Sequence, residues 1–439
     1  MKRTECIISG QYLLPMDGRN TILENAGVAV DDDTIVAVGP RAELREKYPH
    51  ADELRQEHGL IMPGLINTHT HAAMSCFRGL ADDLPLMQWL QEYIFPREAR
   101  LTGEMVYTST LLSLCEMIRS GTTSFNDMYL FAADVARATD ESGMRAWLGE
   151  VLYDFPSPSY GELENGFALM EQLFADYAEN ERITITVNPH AVYTCSPDLL
   201  TRLGDFAAER QALLHIHLAE NQDEGALCRE RFGVGPVGHL DKLGLLGERT
   251  LAAHCVVLDN EDIGLLARRG VKVAHCLESN MKLASGIAPV PAMLAAGVCV
   301  GIGTDGSASN NDVDMFGEMD CVAKVHKAVL KDPTVMDAET TLFAATCGGA
   351  AALGAQQKIG SLEVGKKADL IVVDFDRPHL SPVYHPVSHL VYAARGADVV
   401  HSMINGRLVM KNRKILTLDE PAILADMAEI SRKIGSLQG

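Results

Sequence analysis

His69 and His71 stand two residues apart at the end of an apolar run, in Met62-Pro-Gly-Leu-Ile-Asn-Thr-His-Thr-His71. On a strand, residues two apart point to the same face. Two imidazoles converging from one strand end suit a divalent transition metal. Other apolar runs also end on polar residues: Pro189-His190, His215-Ile-His217-Leu-Ala-Glu220, His254 and Gly303-Thr-Asp305-Gly306. A single histidine at a strand end is usually a hydrogen-bonded core residue. Several such ends in strand register predict a shared metal site. Zinc takes imidazole nitrogens and carboxylates, and His69, His71, His217 and Asp305 supply three and one. His215 shares a strand face with His217 but falls one layer deeper, and reads as a packed core histidine. A second ion would want a bridging carboxylate, often from a modified lysine. The run Ile183-Thr-Ile-Thr-Val-Asn188 has no lysine, so one ion per chain is expected.

A divalent ion turns a water into a nucleophile near neutral pH, and that chemistry needs proton carriers. Glu220 follows His217 by three residues, placed to overlook the ion without binding it. It can donate to a ring nitrogen of a substrate, while His254 and Asp305 can accept a proton from the water. The plainer alternative for Glu220 is a carboxylate capping a helix.

These residues need a scaffold that brings several strand ends together. From Leu60 to about Gly354, apolar runs alternate with helical stretches such as Glu104–Ser120, Glu164–Tyr177 and Asp259–Arg269. The candidate strands are Leu60–Thr68, Thr122–Asp127, Arg145–Leu152, Ile183–Asn188, Ala212–His217, Thr250–His254, Val271–His275 and Val298–Thr304. Eight strand–helix units in about 300 residues predict an α/β fold, a (β/α)8 TIM-type barrel, whose strand ends carry the chemistry. An open doubly wound sheet is the alternative, weakened by the lack of a Gly-x-Gly-x-x-Gly turn after the first strand. Short strand-like runs broken by Asp and Gly turns occupy both ends, in Glu5–Ser9, Val28–Val38, Ala368–Asp374 and Val399–Gly406. The expected domains are residues 1–59 and 361–439, pairing into a small flanking β-sandwich, and the metal-dependent barrel over residues 60–360.

The chain has 439 residues, 47% of them hydrophobic, enough for a large core. Its 38 Lys and Arg against 59 Asp and Glu give a net charge of −21, which argues against nucleic acid or an anionic membrane as partner. The opening residues carry too short an apolar run for a signal peptide, and no run is long enough to span a bilayer. The ten cysteines are scattered without a Cys-x-x-Cys pair, as expected of reduced thiols in a cytoplasm. A homo-oligomer is compatible with all of this.

The chain resembles the amidohydrolase superfamily over nearly its whole length. Within that superfamily it is most similar to the 5'-methylthioadenosine/S-adenosylhomocysteine deaminases. The resemblance rests on Pro63-Gly-Leu-Ile-Asn-Thr-His-Thr-His71, Glu278-Ser-Asn-Met-Lys-Leu-Ala-Ser-Gly-Ile-Ala-Pro-Val290 and Gly303-Thr-Asp-Gly-Ser-Ala-Ser-Asn-Asn311. It implies a zinc ion, with iron(II) as the alternative, held by His69, His71, His217 and Asp305. It implies that Glu220 protonates the purine ring and that His254 helps activate the water. By the same resemblance Glu98, in Phe95-Pro-Arg-Glu98, meets ribose hydroxyls, which a carboxylate can accept from. His190 contacts the substrate, and Ser309 lines the purine end. The implied reaction is hydrolytic deamination of the adenine ring of a 5'-substituted adenosine. Rivals on the same scaffold act on guanine, a pyrimidine or a triazine, and Glu98 argues for a sugar-bearing substrate. A silent barrel used as a binding protein is the remote alternative. Relatives that handle S-adenosylhomocysteine well tend to have arginines after the third strand. Here Trp147–Glu164 has none and carries Glu150, Asp154, Glu162 and Glu164. Those carboxylates are expected near the pocket mouth, repelling a carboxylate-bearing tail and favouring methylthioadenosine, 5'-deoxyadenosine or adenosine.

Overall fold

A computed structural model describes residues 5–18 and 21–435. The opening residues Met1–Thr4, read above for a signal peptide, lie outside them. Both chain ends contribute to one eight-stranded sheet. Its hydrogen-bonded order is Lys414–Ile415, Arg407–Lys411, Val399–Ile404, Leu370–Asp374, Asp52–Pro63, Glu5–Leu13, Leu23–Asp31 and Thr34–Pro40. The seam between the ends is the antiparallel pair Leu370–Asp374 and Asp52–Pro63, with Leu370 opposite Pro63. The sheet folds over on itself: Ile35 N–H donates to Lys366 O at 2.9 Å, and Gly365 N–H to Ile35 O at 2.9 Å. Ile8, Val28 and Ile35 from one half and Leu370, Val372 and Met403 from the other fill a single core, as in a β-sandwich.

The apolar run Leu60–Thr68 is two strands rather than the one expected. It finishes the sandwich strand at Pro63 and starts the first barrel strand, Leu65–Thr70. Gly64 is the pivot, packed so closely on Thr123 that a Cβ would sit 2.1 Å from its side chain. Proline and glycine thus break a run whose hydrophobicity is continuous because both strands are buried. The remaining barrel strands are Thr122–Tyr129, Arg145–Leu152, Ile183–Ile185 with Asn188–Pro189, Leu214–Leu218, Thr250–His254, Lys272–His275 and Cys299–Ile302. Neighbours pair in parallel, for example Ser124 with Arg145 and Leu214 with Thr250. A bridge between Val187 and Leu214 joins the two halves. The barrel closes where Asp305 N–H donates to His69 O at 3.0 Å and Asn67 Oδ1 accepts from Thr304 N–H at 3.0 Å. At that seam Gly303 lies so near strand one that a Cβ would fall 2.7 Å from His69 N.

Local sequence fixes the helices between these strands. In Asn260–Arg269, Asp259 and Asp262 form a reciprocal capping box, acidic residues fill the first turn and arginines the last, and Gly270 ends the helix at φ 70°. At the amino end of the barrel a buried ion pair ties barrel to sandwich. Arg145 Nε lies 2.7 Å from Asp369 Oδ2, and the same guanidinium donates to Glu181 O and Asn405 Oδ1 at 2.8 and 2.9 Å. Among the described residues no helix is long and apolar enough to cross a membrane. All ten cysteines are unpaired.

Candidate active site

The carboxyl ends of the strands bring His69, His71, His217, His254 and Asp305 together, as their positions in the sequence predict. Ring nitrogens of His69, His71 and His217 lie within 4.8 Å of one another, and so do ligand atoms of His69, His254 and Asp305. His69 Nε2 and His71 Nε2 stand 3.3 and 3.2 Å from the same oxygen, Asp305 Oδ1. His217 Nε2 stands 3.2 Å from His71 Nε2.

In each imidazole the other nitrogen is taken. His71 Nδ1 meets Met128 O at 2.5 Å, His217 Nδ1 meets His190 O at 2.8 Å, and His69 Nδ1 meets His215 Nε2 at 2.8 Å. A nitrogen held this way aims its partner across the ring. His69 Nε2 is buried and has no hydrogen-bond partner. Asp305 Oδ2 accepts from Ser279 Oγ and Ser309 Oγ at 2.6 and 2.9 Å, which turns Oδ1 toward the imidazoles. Three Nε2 atoms and one carboxylate oxygen facing a common centre, one of them an orphan, fit a divalent transition ion. Burial holds the His69 imidazole down, to about 4. In His71 burial is outweighed by Asp305, Asp127 and the Met128 carbonyl, which lift it to about 9. Burial opposes ionisation of Asp305, yet the imidazoles of His69 and His71 beside it hold its carboxyl well below the usual range.

Glu220 lies beside this cluster, its Oε2 4.0 Å from His254 Nε2. It is buried, and burial raises its carboxyl above the usual range, as a proton donor requires. His254 Nδ1 is held by the Asn280 side chain at 3.2 Å. His190 Nδ1 meets Thr194 Oγ1 at 2.8 Å, and burial, helped by the neighbouring histidines, keeps its ring neutral with a pKa of about 3. Backbone φ is positive at Ala219, His254 and Asp305, at 53°, 73° and 62°. Such conformations are costly for residues with a side chain and gather at functional sites.

Above the cluster opens a cleft with about 720 Å³ of empty space, its open mouth included. Glu98, His190, Tyr193, His217, Glu220, His254 and Ser309 line its polar part. Leu86, Trp89, Leu90, Ile94, Phe95 and Phe155 form an apolar wall. Phe155 stacks on Tyr153 with centroids 3.9 Å apart. Burial raises the Glu98 carboxyl, partly offset by the nearby Tyr129 hydroxyl and His71. No Lys or Arg lines the cavity among the described residues.

The carboxylates expected at the pocket mouth are elsewhere. Glu150 is fully buried and accepts from Phe131 N–H and Ala132 N–H at 3.2 and 2.7 Å. Asp154 accepts from Ser196, and Glu164 pairs with Arg202 at 2.8 Å. Glu162 precedes the helix Leu163–Asp176. For Glu150 the physical reason is that backbone N–H groups at the start of buried loops need acceptors. The same device recurs around the rim. Asp127 holds Ala72 N–H at 2.6 Å, Glu224 holds Ala219 and Glu220 N–H at 3.0 and 2.8 Å, and Glu318 holds Leu277 and Glu278 N–H at 2.6 and 3.1 Å. Burial raises Asp127, Glu150 and Glu224 to about 6, 7 and 8.

The amidohydrolase family pattern matches residues 60–409, most of the chain. The chain belongs to the amidohydrolase family. This amidohydrolase is 54% identical over 432 residues to the 5-methylthioadenosine/S-adenosylhomocysteine deaminase of Syntrophobacter fumaroxidans, covering 98% of this chain and 99% of that one. It is 47% identical to the 5-methylthioadenosine/S-adenosylhomocysteine deaminase 1 of Syntrophus aciditrophicus, covering 99% and 98%. The crystal structure of an adenosine deaminase from Xanthomonas campestris with bound zinc superposes with a TM-score of 0.96 at 39% identity, covering 99% of each chain. Atrazine chlorohydrolase from Arthrobacter aurescens shares the fold, with a TM-score of 0.90 at 24% identity, covering 97% of this chain and 100% of that one. By its likeness to the two curated deaminases the amidohydrolase is a hydrolytic deaminase.

Sequence reasoning missed several of its supporting residues. Ser279 and Asn280 sit in the stretch Glu278–Val290, where the motif marked them without giving a role. Tyr193 and Trp89 line the cavity with no spacing signal. His215, read as packing, touches His69 directly.

Proposed function

We propose that this chain hydrolytically deaminates the adenine ring of a 5'-substituted adenosine, with one zinc ion per chain held by His69, His71, His217 and Asp305. The observation that carries the reading is the convergence of those four side chains at the floor of a cavity that also holds Glu220 and Glu98. A divalent ion held there supplies a water made nucleophilic at neutral pH. Water oxygen replaces the exocyclic amine, which leaves as ammonia. His254 and Asp305 stand where they can take the proton that the water gives up. Glu220, whose carboxyl burial raises, is placed to donate a proton to the ring nitrogen beside the reacting carbon. His190 and Ser309 flank the base, and Ser309 also holds Asp305.

Glu98, which also lines the cavity, accepts from the vicinal ribose hydroxyls, a role open to a carboxylate and useless to a free base. The 5' substituent lies against the apolar wall of Leu86, Trp89, Phe95 and Phe155. A methylthio or deoxy group loses water there at no polar cost. The tail of S-adenosylhomocysteine brings a carboxylate to a wall without a cation. The unpaired thiols suit a reducing cytoplasm.

Ammonia release from a panel of nucleosides tests the reading. Methylthioadenosine and 5'-deoxyadenosine should give the highest kcat/KM, adenosine and S-adenosylhomocysteine less. Chelation should abolish turnover and zinc restore it. Turnover of guanine or a triazine alone, or activity indifferent to chelation, would overturn the assignment.

A further inference from the structure

Tyr129 ends the second barrel strand, Thr122–Tyr129, and its side chain lines the cavity. The residue is 3% exposed. Its ring lies near His71, with centroids 6.0 Å apart, and its hydroxyl stands beside the Glu98 carboxylate without a hydrogen bond between them. Among the described residues, Tyr129 Oη is the one buried, partnerless side-chain atom that belongs to the cavity lining. Other polar groups of the lining are engaged. Ser309 Oγ donates to Asp305 Oδ2 at 2.9 Å, and His190 Nδ1 meets Thr194 Oγ1 at 2.8 Å.

A buried hydroxyl without a partner costs the empty protein stability, and folded chains keep few of them. Burial, reinforced by the neighbouring Glu98 carboxylate, pushes the Tyr129 phenol well above its usual range, so it keeps its hydrogen and offers a donor. An ionised carboxylate only accepts. A sugar hydroxyl has one hydrogen to give and lone pairs to be met. Glu98 can take the hydrogen, but it cannot serve the oxygen. The orphaned phenol beside it supplies the missing donor.

We propose that the Tyr129 hydroxyl is a sugar-binding group that works with Glu98, donating to the oxygen of a ribose hydroxyl whose hydrogen Glu98 accepts. The pair reads both faces of one functional group, its donor and its acceptor. A free base leaves both side chains unmet. Because its ring lies near His71, the phenol also sets how far the sugar sits from the histidine cluster. The assignment rests on the nucleoside reading proposed above.

Tyr129→Phe removes the hydroxyl and keeps the ring. In the zinc-loaded enzyme it should lower kcat/KM for 5'-methylthioadenosine by about 5–30-fold, the scale of one hydrogen bond lost inside a cavity. For the 2',3'-dideoxy analogue the same constant should stay at the wild-type value. The substrate-free variant should melt no lower than the wild type, because it sheds an unmet polar group and no bond. The acid limb of its pH profile should also stay in place, since the donor serves the sugar and not the Glu98 carboxylate. Equal losses on the two substrates, or no loss on either, would overturn the assignment. So would a lower melting temperature, which marks a hydroxyl that serves the fold. An acid limb moved to higher pH on the hydroxyl-bearing substrate alone would show a phenol acting on Glu98, and that too overturns contact with the sugar. Failure of the wild type to deaminate any nucleoside would instead overturn the nucleoside reading itself.

Discussion

The two ends of the barrel both bury charge, and they do so in opposite ways. At the amino end, Arg145 and Asp369 form a closed set: the guanidinium meets a carboxylate, a backbone carbonyl and an amide oxygen, all from 2.7 to 3.2 Å away. At the carboxyl end, His69, His71, His217 and Asp305 turn atoms toward a shared centre, and one of those atoms has no partner. Positive φ values at Ala219, His254 and Asp305 add backbone strain there. The difference separates a joint from a site. A joint satisfies its groups within the chain, whereas a site keeps donors unsatisfied for something that arrives. Such a site persists only because its surroundings over-determine it.

The largest effect should come from the carboxyl end. His217→Ala and Asp305→Asn are expected to lose bound zinc and to lower turnover by about 10³-fold or more, beyond the roughly 10–100-fold of a residue that only orients a ligand. Elemental analysis and kinetics on the same preparations check both parts. Full metal content in either variant would dissolve the contrast. Next comes the amino end. Arg145→Met strands Asp369 in the interior and should cost about 3–5 kcal/mol in chemical denaturation, with kcat per folded molecule unchanged. A double change to Arg145→Met with Asp369→Leu should recover most of the loss, because the buried charge is then gone. A fall in kcat without a fall in stability would show that the joint also serves the chemistry.

Smaller effects sharpen the division within the cavity. Glu220→Gln should keep its metal and lower turnover by about 10²-fold, the scale of a positioned proton donor. Loss of metal in this variant would move Glu220 into the ligand set. Glu98→Ala should lower kcat/KM for ordinary nucleosides by about 10–100-fold, the worth of a charged hydrogen bond. The variant should also become indifferent to removal of the 2' and 3' hydroxyls. A wild type already indifferent to those hydroxyls would strip Glu98 of its role.

What could be read in the sequence was what local spacing encodes. His69 and His71 share a strand face, and His217 precedes Glu220 by three residues at a strand end. Those offsets translate directly into one centre. The strand–helix alternation that aligns them was legible for the same reason, although Pro63 and Gly64 hid a change of domain inside one apolar run. The carboxylates after strand three were misplaced because the partners of Glu150, Asp154 and Glu164 lie on other segments of the chain. Nothing near Glu150 in sequence says that it will bind Phe131 and Ala132. Phe155, between Asp154 and the prolines, passed as an ordinary loop residue, yet it walls the cavity. Ser279 holds Asp305 from another loop, and no period in the sequence connects the two.

The buried carboxylates that grip the first N–H groups of the rim loops divide each loop into two parts with different freedom. Asp127 fixes Ala72, one residue beyond His71, before the chain travels out through Leu86, Trp89 and Phe95 to Glu98. Glu224 fixes Ala219 and Glu220 in the same manner after strand five. The inner part of each loop is mechanically part of the barrel. The outer part can change in length and composition without unseating a ligand. New substrates can therefore be reached by rewriting the outer segments alone, while the cluster of His69, His71, His217 and Asp305 keeps its geometry.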